Sequence, residues 1–379
     1  MLDCSGRPVS VLDSRAMTDI QAKNGQLPEL DLLTARDVRG LAQVLGLRPT
    51  KSRGQNFVID PGTVRKIARE AEVQAGEFIL EVGPGLGSLT LALLERGAQV
   101  AAVEIDEKLA GALPQTLTVH GAAPDNFAVT KGDALHLAGP QSLTLPAACA
   151  RAGRHEPEKL VANLPYNVAV PVLLQILERF PTIHTAVVMV QLEVAERLAA
   201  TPGSKVYGAP SAKAAWYARV RRGSKISRSV FWPVPRVDSA LVIAERRQPG
   251  ELQHQLGAAE RPGAAEHSGA AESPGVAEQP GAAERPGAAE RQLGETLAGE
   301  ENLENAKLRE ATFAVIDAAF AQRRKTLRAA LATWAGSREK AEEILVAAGI
   351  DPGARGETLS ITDFLRIART AGIARTAGK

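Results

Sequence analysis

With 379 residues, 45% of them apolar, the chain is long enough for two domains with real cores and has the composition of a globular protein. No apolar run reaches the roughly 18 residues of a spanning helix, and the opening MLDCSGRPVSVLDSRAMTD carries Asp and Arg where a secretion signal would be apolar, so a cytoplasmic protein without a membrane segment is expected. The formal charge of +2 conceals an asymmetry: residues 248–305 hold eleven Glu against three Arg, a net of −8 that leaves +10 on the rest, and a basic body favours phosphate-rich partners.

In chain order, residues 1–30 are expected to form a flexible tail and residues 31–247 a single domain. Within that domain FILEV (78–82) predicts a buried strand, Ser88 to Arg96 a helix, and QVAAV (99–103) a second strand. Further short apolar runs predict strands at 127–130, 160–162 and 186–190. Strands separated by helical stretches imply an α/β fold with a mostly parallel, doubly wound, Rossmann-like sheet. From Gly257 to Gln292 the hexapeptide G-A/V-A-E-x-x repeats six times. Its period matches neither a helix nor a heptad, and each Gly interrupts what Ala and Glu would start, so residues 248–305 are expected to be a disordered acidic insert. Apolar positions at Phe313, Ile316, Phe320, Leu327 and Leu331 predict a small helical domain over 306–379. Cys4 and Cys149 are far apart and make no ligand spacing, so neither a disulfide nor a metal is expected.

The chemistry concentrates where the predicted strands end. LEVGPGLGSLT (80–90) places Gly83, Gly85 and Gly87 between a strand and its helix, where the backbone can turn sharply and approach a ligand. Glu104 follows the next strand, twenty-one residues after Gly83, where a carboxylate can take both hydroxyls of a ribose. The glycine spacing, G-x-G-x-G, is one residue short of the dinucleotide pattern, which tilts the cofactor from NAD toward S-adenosylmethionine. Asp133, in VTKGDAL, ends a third strand and could accept from an adenine amino group. NLPY (163–166) then ends a fourth, because Pro165 cannot continue a ladder, and a helix restarts with Pro171 in its first turn. There the side-chain oxygen of Asn163 and the carbonyl of Leu164 could hold an exocyclic amine while the Tyr166 ring offers a stacking surface.

Taken together, KSRGQNFVID (51–60), LEVGPGLGSLT, VEID (103–106), KGDAL (131–135), NLPYNVAVPVLL (163–174), MVQLEVAERL (189–198), FWPVPRVDSALV (231–242) and AFAQRRKTLRAAL (319–331) resemble the ribosomal RNA adenine N6-dimethyltransferases, in particular the bacterial branch acting on two adjacent adenines near the 3′ end of 16S rRNA. The resemblance implies cofactor contacts for Asn56, Val58, Gly83, Gly85, Glu104, Asp133 and Asn163. It also implies that Asn163, Leu164 and Tyr166 hold a flipped adenine, with Phe231 as a second aromatic face. Val58 stands where Leu is usual. The branch that modifies 23S rRNA is the neighbouring alternative, although it usually carries Ile at the position of Leu164. A non-catalytic assembly factor is another, and an NAD oxidoreductase is disfavoured by the glycine spacing. Two basic runs, with Arg221, Arg222 and Lys225 in one and Arg323, Arg324 and Lys325 in the other, are expected to contact RNA phosphates. The small ribosomal subunit or its precursor is the expected partner, and a monomer the expected state.

Overall fold

Residues 30–47, 56–259 and 288–377 are described in the structure, a computed structural model. The tail expected over 1–30 (except its last residue), the start of the Q-N-F motif at 51–55, and repeat residues 260–287 lie outside them. Among the described residues no helix is long and apolar enough to cross a membrane.

Strands run at β1 Phe57–Val58, β2 Phe78–Val82, β3 Gln99–Glu104, β4 Phe127–Lys131, β5 Lys159–Asn163, β6 Thr185–Gln191, β7 Ala218–Ile226, β8 Phe231–Trp232 and β9 Ser239–Arg246. Seven of them form one sheet in the order β4-β3-β2-β5-β6-β9-β7, and β1 and β8 form a separate ladder. Strands β2 to β6 pair in parallel. β9 returns antiparallel along the whole of β6, from Thr185 opposite Glu245 to Gln191 opposite Ser239. The apolar runs of β2, β3, β5 and β6 are buried because helices cover both faces of such a sheet.

Those helices begin where the sequence supplies the means. α1 (Ala35–Val44) starts from a reciprocal cap between Thr34 and Asp37, and α2 (Pro61–Glu70) from Asp60 with Pro61 in the first turn. α3 (Ser88–Glu95) has Ser88 to Leu94 buried without a gap, so it lies inside the core rather than on it. α4 (Glu107–Val119) is capped by Asp106. α5 (Ala169–Arg179) follows NLPY with no capping side chain, which leaves the amide of Asn163 for other work.

The chain divides into two compact units, but not where the sequence suggested. One holds Met1–Ala199 and Arg219–Arg246, the other Ala200–Ala218 and Arg247–Lys379. Residues 200–218 therefore leave the expected 31–247 domain. Within the second unit Tyr207 packs edge-on to Phe320, and Trp216 and Tyr217 pack edge-on to Phe313, which ties this segment to residues a hundred positions later. The insert expected over 248–305 is also corrected at its ends. Glu251–Ala259 is helical with Leu252 and Leu256 buried in the second unit's core, and a helix spans Ala288–Ala321. Both stretches are rich in Glu, Gln, Ala and Leu, good helix formers, which the acidic charge and the repeat had assigned to the insert. Ile316, Leu327 and Leu331 are fully buried and Phe313 and Phe320 pack beside them, in the helical architecture expected for this region.

Candidate active site

In the order β4-β3-β2-β5 the strand sequence reverses direction between β2 and β5, and ligands of open α/β sheets bind at the carboxyl ends beside such a reversal. The carboxyl ends of these four strands deliver the glycine turn after β2, Glu104 at the end of β3, Asp133 after β4 and Asn163 at the end of β5. All four line one cavity of about 540 Å³, together with Asn56, Val58, Leu164 and Tyr166. The structure thus brings together every cofactor residue expected from the sequence.

The glycine turn is shaped by its own backbone and by the neighbouring acid. Gly83 and Gly85 have φ of +70° and +59°, a region that side-chain-bearing residues avoid, and a Cβ on Gly85 would stand 3.0 Å from the Phe57 ring. The Gly85 N–H donates to Glu104 Oε2 at 3.1 Å, and the Asp106 N–H donates to Glu104 Oε1 at 2.9 Å. Glu104 is 5% exposed, and burial raises its pKa, opposed by these two N–H groups. Each oxygen keeps a further lone pair, so the carboxylate is held in place with capacity for two hydroxyls. Asp133 uses Oδ1 to accept from the Leu135 N–H at 2.9 Å, and Oδ2 lies 3.4 Å from His136 Nδ1.

On the β5 side, Asn163 Nδ2 donates to the Asn56 carbonyl at 3.1 Å. With the nitrogen committed there, the amide oxygen is left as acceptor toward the cavity, an assignment that follows from the hydrogen-bond network. Tyr166 places its hydroxyl 2.7 Å from Ser239 Oγ, and burial raises the phenol's pKa, so the ring stays neutral across the working range.

Two findings depart from the expected site. Phe231, anticipated as a second face for the base, is fully buried, pairs with Val58 in the β1–β8 ladder and does not line the cavity. Its place in the core requires that Phe57 and Tyr166 be the aromatic side chains of the lining. The second is Glu81, which sequence reasoning passed over. It lies within the apolar run FILEV, is 1% exposed, and lines the cavity with Oε2 lacking a hydrogen-bond partner among the described residues. Burial pushes its pKa up to about 8, opposed by the nearby Thr90 hydroxyl and reinforced by repulsion from Glu104. An acid inside a strand of otherwise apolar residues, immediately before a glycine turn, was the available signal.

The basic residues differ in their surroundings. Arg221 and Arg222 are exposed on β7, with Arg221 3.5 Å from Glu245, and Lys225 pairs with Asp238 at 2.8 Å. In the second unit Arg323 binds Glu357 and the Lys205 carbonyl, a structural tie, whereas Arg324 and Lys325 are exposed. Among the described residues no group of three or more His, Cys, Asp and Glu is arranged to hold a metal ion.

The chain also has close relatives. Residues 47–255 match the family described as Ribosomal RNA adenine dimethylase. A Ribosomal RNA small subunit methyltransferase A from Streptomyces coelicolor is 50% identical over 338 residues, covering 89% of this chain and 96% of its own. A protein of the same name from Thermobifida fusca is likewise 50% identical over 338 residues, covering 89% and 95%. Among solved structures, a dimethyladenosine transferase from Plasmodium falciparum matches with a TM-score of 0.55 at 19% identity, over 82% of this chain and 95% of that one, a likeness of fold.

Proposed function

We propose, because this chain belongs to the ribosomal RNA adenine dimethylase family, that it dimethylates the N6 amino groups of two adjacent adenines in the 3′-terminal hairpin of 16S rRNA. The small ribosomal subunit or its precursor would be the substrate particle, and the enzyme would act as a cytoplasmic monomer. It is a methyltransferase, and S-adenosylmethionine is its methyl donor. The observation that carries the site assignment is the convergence of Glu81, Glu104, Asp133 and Asn163 on one cavity at four strand ends.

The residues present suit that donor. Glu104 would hold the ribose hydroxyls and Asp133 the adenine amine, and the unpartnered oxygen of Glu81 is matched by the donor's ammonium group. Among the described residues the lining holds four acids and no Lys, Arg or His, an electrostatic setting suited to a cation. When bound, the cofactor supplies an electrophilic methyl whose C–S bond breaks, its electron pair passing to sulfur, as the new N–C bond forms. The chain's own work is to present the nucleophile. The Asn163 oxygen and the Leu164 carbonyl would accept the two N6 hydrogens, which draws the nitrogen lone pair out of conjugation and aims it, while Tyr166 stacks on the base. Glu81, Glu104 and Asp133 are engaged with the cofactor on this reading, so the proton released from N6 after transfer would pass to water.

Incubation with labelled S-adenosylmethionine and small subunits lacking the modification should place label in the 3′-terminal fragment of 16S rRNA as N6,N6-dimethyladenine. Label confined to 23S rRNA would instead assign the neighbouring branch of the family, and RNA binding without label would make this an assembly factor.

A further inference from the structure

The hydroxyl of Tyr166 is not needed for stacking, yet it is engaged. It lies 2.7 Å from Ser239 Oγ. Ser239 is 0% exposed and is the first residue of β9, in register with Gln191 on β6. Tyr166 itself stands on a loop between β5 and α5, where Pro165 cannot donate to a ladder and α5 begins without a side-chain cap. The loop's backbone ties, from the Leu164 N–H to the Met189 carbonyl and from the Val168 N–H to the Pro165 carbonyl, do not restrain the ring. The bond to a fully buried hydroxyl on a central antiparallel pair is therefore what connects the ring to the rigid sheet.

We propose that Ser239 is a positioning residue that fixes the Tyr166 ring through its hydroxyl, and that this restraint matters more for the second methyl transfer than for the first. The inference rests on the functional reading above. Before the first transfer the adenine amine has two hydrogens for the Asn163 oxygen and the Leu164 carbonyl. In the first transfer the N6–methyl bond forms as the donor's C–S bond breaks with its pair on sulfur, and one N6 proton leaves to water. The monomethylated amine then has a single hydrogen and engages only one acceptor. With one of two hydrogen bonds gone, the aim of the lone pair depends more heavily on the stack, and hence on how firmly the ring is held. Ser239 thereby acts on the ratio of monomethylated to dimethylated product, not on cofactor or RNA affinity.

The test is a timed methylation of unmodified small subunits, with nucleosides quantified by mass spectrometry, for wild type, Ser239→Ala, Tyr166→Phe and the double variant. Melting temperatures are recorded alongside. Both single variants are expected to slow the second transfer by roughly fivefold, the scale of one net hydrogen bond, with a smaller effect on the first, so that N6-monomethyladenine accumulates. Because they break the same bond, the double variant should show little further change. If Ser239→Ala fails to fold, Tyr166→Phe, which keeps the ring, still decides. A wild-type product ratio in Tyr166→Phe overturns the proposal, as does equal slowing of both transfers that tracks loss of thermal stability. If wild type itself makes no methyladenine, the functional reading fails and the inference falls with it.

Discussion

The two walls of the cavity are built to different standards. On the β2–β3 side the carboxylate of Glu104 accepts from the backbone N–H groups of Gly85 and Asp106, so acid and glycine turn fix each other in place. On the β5 side Asn163 and Tyr166 are each held by one side-chain bond, to the Asn56 carbonyl and to Ser239. The first wall suits a ligand that enters in one pose, and the second suits a substrate that must be gripped, re-presented and released. On the proposed function, binding and aiming are separable in this site, and substitutions on the two walls should fail in different ways.

The largest expected effect is on aim. On the proposed function Asn163→Ala removes an acceptor that works in the transition state, and turnover should fall about 10²- to 10³-fold while RNA binding, read by filter retention, changes little. Comparable turnover in that variant would remove the amine-holding role. Glu104→Ala should act on the other wall by weakening S-adenosylmethionine affinity about 100-fold in calorimetry, the scale of two lost charged hydrogen bonds. A normal affinity with lowered turnover would merge the two walls into one function.

Glu81 sharpens the contrast because binding and stability pull it in opposite directions. Its pKa in the folded protein, about 8, lies above the ordinary carboxyl value of 4.5, so the folded state binds the proton more tightly than the unfolded one. The stability this contributes is complete below the lower value and is lost as pH rises through the upper one. Glu81→Gln should therefore raise the melting temperature of the cofactor-free protein at pH 8 by several °C relative to wild type, with little change near pH 4.5. The same substitution should weaken cofactor binding by about tenfold through loss of the ammonium's partner. A pH-independent difference in melting temperature would show that Glu81 does not hold a proton in the folded state.

The smallest effect is expected away from the cavity. Arg222→Ala on β7 should weaken RNA binding a few-fold and lower its salt dependence by about one ion, with the cofactor titration unchanged. An unaltered salt slope would make this exposed Arg a solvated surface charge.

Much of the cofactor wall was legible in the sequence because its signals are local. A short apolar run, a glycine turn and an acid at the next strand end are read within about twenty-five residues, and the strands from β2 to β6 are found within a residue or two of the expected positions. What was not legible depends on distant partners. β7 reads as a basic run because its exposed residues are Arg and Lys, and β9 was absorbed into FWPVPRVDSALV; only the antiparallel pairing along β6 shows it as a central strand. Residues 200–218 join the second unit through aromatic contacts with Phe313 and Phe320, which no local pattern announces. Phe231 looked like a stacking face because it is aromatic and lies in a motif, but the β1–β8 ladder buries it. Glu81 was hidden for the opposite reason, since an acid before a turn is ordinary until its burial and its orphaned oxygen are seen.

A crystal structure with S-adenosylhomocysteine would test the division of the site most directly. The ribose hydroxyls should lie within hydrogen-bond distance of Glu104, the amino group beside Glu81, and the sulfur facing the side of Asn163 and Tyr166. A ligand whose ribose lies away from Glu104, or whose sulfur faces away from Asn163, would contradict it.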